Sequence, residues 1–368
     1  MKYRKPLSGL LITGLLAATT PVAAATEPDP VDRTVADLVR DGFPAGVTAL
    51  RDDDRMRHYA HGVADTATGE PAETGDRFRI ASNTKAFVAV VVLQLVGEGR
   101  LSLDDTVEQR LPGLIRGPGY DASAITVRQL LNHTSGLHDP LDPHFFDPYL
   151  VDGDRGYVYP PREVIRRSLL DPPERGVHYS NTNYLVLGLL IERVTGEHLG
   201  HQLRARILDP LGMRDTSFPV LDPYLHGPHL HGYDLAGEDM TVFSPSYDWA
   251  AGAMVSTVDD LQRFHRALFG GELLAPEQQR AMFEAVPSSE FEAYGLGVER
   301  LTLPCPDGPR EVWGDTGAGP GYYSLAFTRG TRTVVTVLTS YDLAAELRGD
   351  QPFPASPLPA LTAAFCTT

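Results

Sequence analysis

The sequence predicts an α/β sheet domain interrupted by a mainly helical one, and three observations carry that expectation. Strand-like segments gather at the two ends of the chain. Between them lie helical pieces separated by Pro-rich loops. The 368 residues are 42% apolar and 22% charged, a balance that suits a globular chain large enough for two such parts. Residues 26–100 and 241–368 are expected to build the sheet domain and 101–240 the helical one.

The elements follow in order. Lys2, Arg4 and Lys5 form a basic start, Leu7 to Thr20 is apolar, and Ala23-Ala24-Ala25 offers a small-residue cleavage site. Residues 1–25 therefore read as a signal peptide. The apolar run is interrupted by Ser8, Thr13 and Gly14, so cleavage and secretion are expected rather than a stable membrane anchor. Val31 to Arg40 reads as an amphipathic helix. Gly46 to Leu50 and Met56 to Val63 read as strands joined by the solvated turn Asp52 to Asp54. A helix beginning near Ser82 runs through AFVAVVVLQLVGEG, apolar on nearly all sides and hence buried. Helical pieces follow at Val127 to Asn132, Arg162 to Leu170, Tyr184 to Thr195 and His201 to Leu208. Asp104-Asp105 reads as another solvated turn. After Thr257 a helix runs to Leu268. Strands are expected at Tyr294 to Leu301, Tyr322 to Thr328 and Thr333 to Thr339, with a last helix over Leu358 to Phe365.

Charge narrows the functional classes. Acidic residues outnumber basic ones 48 to 32, and the net charge of −16 repels nucleic acid and anionic lipid. The basic residues comprise 29 Arg and three Lys, two of which fall in the leader. Lys85 would then be the one lysine of the mature protein. An arginine stays protonated, whereas a buried lysine can be tuned into a general base.

Three motifs carry chemistry. Ser82-Asn83-Thr84-Lys85 places a hydroxyl and an amine one turn apart at a helix start, where N–H groups and the helix dipole favour an oxyanion. A desolvated lysine can take the proton of such a serine. Tyr179-Ser180-Asn181 precedes another apolar helix; a phenol can pass a proton to a leaving group and an amide can orient a lysine. Gly314-Asp315-Thr316-Gly317-Ala318-Gly319 leads into a strand, where small residues on an edge admit a substrate backbone; a glycine-rich hairpin turn is the bland alternative. No cofactor is implied. The cluster His226, His229 and His231 lacks a carboxylate or cysteine to complete a metal site and lies in a Pro/Gly loop. His133 reads as a structural turn residue, while Tyr247 and Trp249 either line a pocket or pack. Cys305 and Cys366, 61 residues apart, are expected to pair in an oxidising compartment, with a loop-closure contribution of roughly 4 kcal/mol.

Taken together, FRIASNTKAF around Ser82, ITVRQLLNHTSGL, YSNTNYLVLGLLIERVTG, AAGAMVSTVDDLQRF, YGLGVERL and WGDTGAGPGYYSLAF resemble the serine penicillin-recognising enzymes. The chain is similar to secreted D-alanyl-D-alanine carboxypeptidases and class C β-lactamase-like hydrolases. The resemblance implies an antiparallel sheet flanked by helices, with Ser82 as acylated nucleophile, Lys85 as its proton acceptor and Tyr179 as proton shuttle. It implies Asn181 as a substrate and lysine contact, the N–H groups of Ser82 and Ala318 as an oxyanion hole, and Asp315, Thr316 and Gly317 beside them. Peptide or peptidoglycan-like substrates are implied, with β-lactams as acylating ligands. A carboxypeptidase-type peptidase is the first expectation. D-aminopeptidase, amidase or esterase activity comes second, and a penicillin-binding protein with little turnover third. Three departures bear on specificity. Asp315 stands where the third motif normally starts with Lys or His, Ala318 where carboxypeptidases often have Thr, and Glu299 where they are expected to carry a basic residue. Asp315 is expected either to pair with an arginine such as Arg300 or to receive a cationic group such as the free amine of a substrate.

Overall fold

The computed structural model describes residues 28–142, 144–289 and 292–366; the leader lies outside them. Eleven strands are formed: β1 Ala45–Asp52, β2 Arg55–Asp65, β3 Glu70–Pro71, β4 Phe78–Arg79, β5 Val255–Ser256, β6 Val286–Pro287, β7 Glu292–Tyr294, β8 Glu299–Leu303, β9 Arg310–Gly319, β10 Tyr322–Arg329 and β11 Arg332–Leu338. Nine of them make one antiparallel sheet in the order β3-β2-β1-β11-β10-β9-β8-β7-β6, and β4 pairs with β5 apart from it. The N-terminal strand pair thus lands beside the C-terminal one, with Gly46 opposite Leu338. Between β4 and β5 the described residues contain helices, loops and isolated bridges only.

Both faces of the sheet are covered, as an apolar sheet requires. The Pro30–Arg40 helix buries Val31, Val35 and Leu38 on one face. There they join Phe327, Leu338 and residues of the Leu358–Cys366 helix. On the other face the Val258–Phe269 helix lies against β1, β10 and β11. Beyond it runs the Thr84–Gly97 helix. Its three successive valines, Val90 to Val92, are poor helix formers in isolation, but every residue from Thr84 to Leu93 is buried and tertiary packing holds them helical. Helices flank it on several sides, chief among them Asn181–Thr195, which ends on Gly196 in the left-handed conformation.

One local expectation is corrected. The single strand expected over Tyr294 to Leu301 is two, β7 and β8, which pair with each other. Between them Gly297 adopts φ +88°, and a Cβ there would lie 2.2 Å from the Cβ of Ala89 on the central helix. A side chain cannot fit, so the chain bends at this point. The glycine-rich third motif lies on a strand, β9, as its strand-edge reading expects, and the turn is Pro320-Gly321, with Gly321 at φ +81°. A Cβ on Gly317 would sit 2.1 Å from the carbonyl oxygen of Ile80, so glycine lets β9 press onto the segment that carries Ser82. β9 is an interior strand, yet its β8 ladder stops at the pair Glu299–Gly314. From Asp315 to Gly319 that edge of β9 has no ladder partner among the described strands, and Thr316 there bonds to the Glu299 carboxyl.

Candidate active site

Ser82 sits in a 3₁₀ turn, Ala81–Asn83, that leads directly into the central helix. Ala81 holds φ +43°, a left-handed conformation that costs a non-glycine residue on the order of 1–3 kcal/mol. Among the described residues, only three others that are not glycine have positive φ. His133 and Trp249 flank this site, and Asp53 lies in the β1–β2 turn. Strain is thus concentrated where Ser82 is presented.

The side chains expected to act together meet. Lys85 Nζ lies 2.9 Å from Ser82 Oγ, 2.7 Å from Asn181 Oδ1 and 2.9 Å from the carbonyl oxygen of Ala251. The last two are acceptors only. A neutral amine therefore directs its two N–H bonds to them and leaves its lone pair for the serine proton. Lys85 is 1% exposed, and burial brings its pKa down from the usual lysine value to about 8, against the opposing pull of Asp248 and Asp139. Tyr179 donates its hydroxyl to Ser82 Oγ at 2.9 Å. Burial of the hydroxyl end raises the phenol above its ordinary value. Asp248, Asp139 and Glu299 push the same way, although the ring is 42% exposed to the cavity. A phenol held protonated near neutral pH can donate and relay a proton, and a buried amine with a lowered pKa can accept one.

Supporting residues explain this geometry. His133 is buried and kept neutral by burial, with the Lys85 charge adding to that effect. Its Nδ1 accepts from the Ser180 N–H at 3.1 Å, and its ring stacks on Tyr179 with centroids 4.4 Å apart. It is a structural residue with a defined duty, orienting the phenol. Asp139 accepts the Asn181 N–H at 2.6 Å and so caps the helix that carries Asn181. Tyr247 and Trp249 are buried and pack; Trp249 ring atoms come within 2.7 Å of where a Gly188 Cβ would stand. His226 and His231 turn to Asp222 and Asp239, each its own neighbour.

Ser82, Tyr179 and Asn181 open into a cavity of about 670 Å³ that Asp315, Thr316 and Ala318 also line. Lys85 lies behind it and Gly317 against Ile80. The remaining wall is of two kinds. Leu141, Val177, Leu343 and Leu347 are apolar, while Asp139, Glu292, Glu299, Asp315 and Glu346 supply five carboxyl groups. Among the described residues no arginine or lysine lines it. Burial, with Asp315 and Glu292 adding to it, pushes the Glu299 carboxyl up to about 8, although hydrogen bonds from Thr316 pull the other way.

Arg300 does not neutralise Asp315. It pairs with Glu311 at 3.1 Å, where the guanidinium stays partly solvated. Asp315 is 4% exposed; its Oδ1 accepts from Asn83 Nδ2, and Oδ2 lies 3.3 Å from His265 Nε2. Sequence reasoning missed Asn83, His265, Asp139 and Asp248. The two acids stand near motifs, but no spacing announces them. His265 comes to the site only because its helix packs on the sheet.

A profile of the family described as Beta-lactamase matches residues 31–353. The chain belongs to the Beta-lactamase family. Among solved structures it is similar to a D-stereospecific amidohydrolase from Streptomyces sp., with 32% identity, 93% of this chain and 100% of that one covered, and a TM-score of 0.82. It is also similar to the D-amino acid amidase of Ochrobactrum anthropi SV3 complexed with L-phenylalanine amide. That match has 27% identity, covers 91% and 97% of the two chains, and has a TM-score of 0.76. Penicillin-binding protein 4* of Bacillus subtilis is 26% identical over 77% of this chain and 64% of its own length. A putative D-alanyl-D-alanine carboxypeptidase of Escherichia coli is 29% identical over 59% and 56%. The chain thus spans less than two thirds of each of these two curated relatives. The chain has the large antiparallel sheet and flanking helices of this family's fold. Among the described residues no helix is long and apolar enough to cross a membrane.

An acid limb in the pH dependence follows from Lys85. With an ester substrate that carries no amine, kcat/KM should fall as pH drops through about 8, because the base is then protonated. Asp248, fully buried with its own pKa raised to about 6, stabilises the ammonium form. Asp248→Asn should therefore move the limb to lower pH. A limb that stays in place would remove Asp248 as the counter-charge.

Proposed function

We propose that this protein is an amidohydrolase acting through an acyl-enzyme on Ser82, with a preference for D-aminoacyl amides or peptides whose amine is free. The observation that carries the preference is the cavity wall, rich in carboxyls such as Glu292, Glu299 and Glu346 and, among the described residues, without an arginine or lysine. A carboxypeptidase substrate ends in a carboxylate and needs a cation to hold it; here Glu299 occupies that side of the pocket. A substrate ammonium is matched instead, and the leucines and Val177 suit an apolar side chain. Similarity to the Streptomyces amidohydrolase over the whole of that chain supports the same choice. This ranks the amidase or aminopeptidase expectation above the D-alanyl-D-alanine carboxypeptidase.

The chemistry uses the contacts described. Ser82 Oγ attacks the amide carbonyl as Lys85 takes its proton. Backbone N–H groups of Ser82 and Ala318 receive the oxyanion, with Ala318 on the stretch of β9 that has no β8 ladder partner. Tyr179 gives its proton to the leaving nitrogen and is restored from Lys85. Water then releases the acid by the reverse relay. Asn181 holds Lys85 and contacts the substrate amide. β-Lactams, which bear a carboxylate, should acylate Ser82 slowly.

The test is a substrate profile of the purified protein against D-aminoacyl amides, D-Ala-D-Ala peptides with blocked amines and short-chain esters, with Ser82→Ala as the blank. Highest kcat/KM on the free-amine amides is expected. Faster turnover of the blocked D-Ala-D-Ala peptides would restore the carboxypeptidase, and activity in Ser82→Ala would overturn the nucleophile.

Export and a Cys305–Cys366 disulfide belong to the same proposal. The two alpha-carbons are 5.1 Å apart, within the span a disulfide bridges. A bridge would tie the terminal helix to the loop after β8. Alkylation of the denatured, unreduced secreted protein should add no mass, whereas two blocked thiols would show the pair to be free.

A further inference from the structure

Behind Ser82 lies a buried polar chain that the proposed reaction does not use. Asn83, the residue after the nucleophile, is 0% exposed, as is His265, and Asp315 is 4% exposed. Asn83 Nδ2 donates to Asp315 Oδ1, while Asn83 Oδ1 accepts from the hydroxyl of Ser324 on β10. The amide is thus held at both ends. Asp315 Oδ2 in turn lies 3.3 Å from His265 Nε2. The two atoms face each other at ion-pair distance without hydrogen-bond geometry, and neither has a hydrogen-bond partner among the described residues. The imidazole is fixed by Phe264 and Phe269, with ring centroids 5.7 and 5.6 Å away.

We propose that His265 and Asp315 are positioning residues, which hold Asn83 and through it set the Ser82 turn. That turn begins at a left-handed Ala81 and is closed by short backbone bonds only, from the Asn83 N–H to the Ile80 carbonyl at 3.1 Å and from the Thr84 N–H back to Ala81 and Ser82. It needs an external clamp. Gly317 presses on its backbone from β9, and Asp315, two residues earlier on the same strand, grips the Asn83 side chain. His265 supplies the counter-group that lets a carboxylate be buried there. With Oδ1 held by Asn83 and Oδ2 turned to His265, Asp315 is a poor substrate receptor. The acid in this motif serves the geometry of the nucleophile, and the pocket-facing charge falls to Glu299.

The test measures the rate constant for acylation of Ser82 by an activated ester, per folded molecule, in the full-length protein. His265→Leu removes the donor and should slow acylation by about 10- to 100-fold, the scale of a misplaced nucleophile, with KM changed little. His265→Gln keeps an N–H near the Nε2 position and should stay within about threefold of native. In an Asp315→Asn background, His265→Leu should cost much less than it does alone, because the link is already weakened. Asn83→Ala reads the same link with a smaller disturbance of the core and should match His265→Leu. A native acylation rate in either Asn83→Ala or His265→Leu would overturn the proposal, as would a Gln variant no better than Leu. The proposal rests on Ser82 as nucleophile. Persistent acylation in Ser82→Ala would show that this earlier assignment had failed, whatever the His265 variants do.

Discussion

Lys85→Arg is expected to lower acylation of Ser82 by about 10²- to 10⁴-fold, the scale of a lost general base. The guanidinium keeps its proton at any pH the protein tolerates, so it cannot receive the serine proton. Lys85 Nζ makes three contacts within 2.9 Å in a site that is 1% exposed, and the larger head group cannot reproduce them. Overpacking should also cost about 1–3 kcal/mol of stability. Lys85→Met separates the two effects, since it removes the base with a side chain of similar length. Both variants should show intact secondary structure and very slow formation of the acyl-enzyme by intact-mass measurement. Near-native turnover in Lys85→Arg would mean that another group takes the proton.

Glu299→Gln is expected to change what the enzyme prefers more than how fast it reacts. The carboxyl lies in the cavity with one oxygen free of hydrogen-bond partners, and β8 starts at this residue, where its ladder with β9 stops. A charge-assisted bond to a substrate ammonium contributes about 1.5–3 kcal/mol, which corresponds to roughly 10- to 150-fold in kcat/KM. The loss should fall on free-amine substrates and spare esters that lack an amine. The Glu299 pKa of about 8 adds a second signature. Ammonium binding favours the ionised carboxyl, so uptake of such substrates should release protons near neutral pH. Equal losses on both substrate classes would mean that Glu299 supports the pocket without selecting what enters it.

Much of this site is legible in the chain because its parts are local. Ser82 and Lys85 are three residues apart on one helix, and helical geometry alone puts them on one face. The scarcity of lysine in an arginine-rich chain points to the base before any motif does. The central helix is legible for a similar reason, since uninterrupted apolarity has one stable outcome, burial. The third motif is less so. Its glycines suit a turn as well as a strand, and strand β9 follows only when Gly317 is seen against Ile80.

Charge partners were the least legible. Arg300 follows Glu299 in sequence and is one candidate to neutralise Asp315, but it takes Glu311 at the solvated edge. His265 is 50 residues from Asp315 and carries no motif, yet helix-on-sheet packing sets it 3.3 Å away. By itself the sequence determined the family and singled out Ser82, Lys85 and Tyr179 as the candidate site, because each rests on short-range spacing and on side-chain chemistry that few residues offer. The tertiary structure decided where Asp315 turns, which carboxyl faces the cavity and what shields Tyr179. Those depend on long-range packing and desolvation, and burial weights every competing partner in ways that spacing along the chain does not encode.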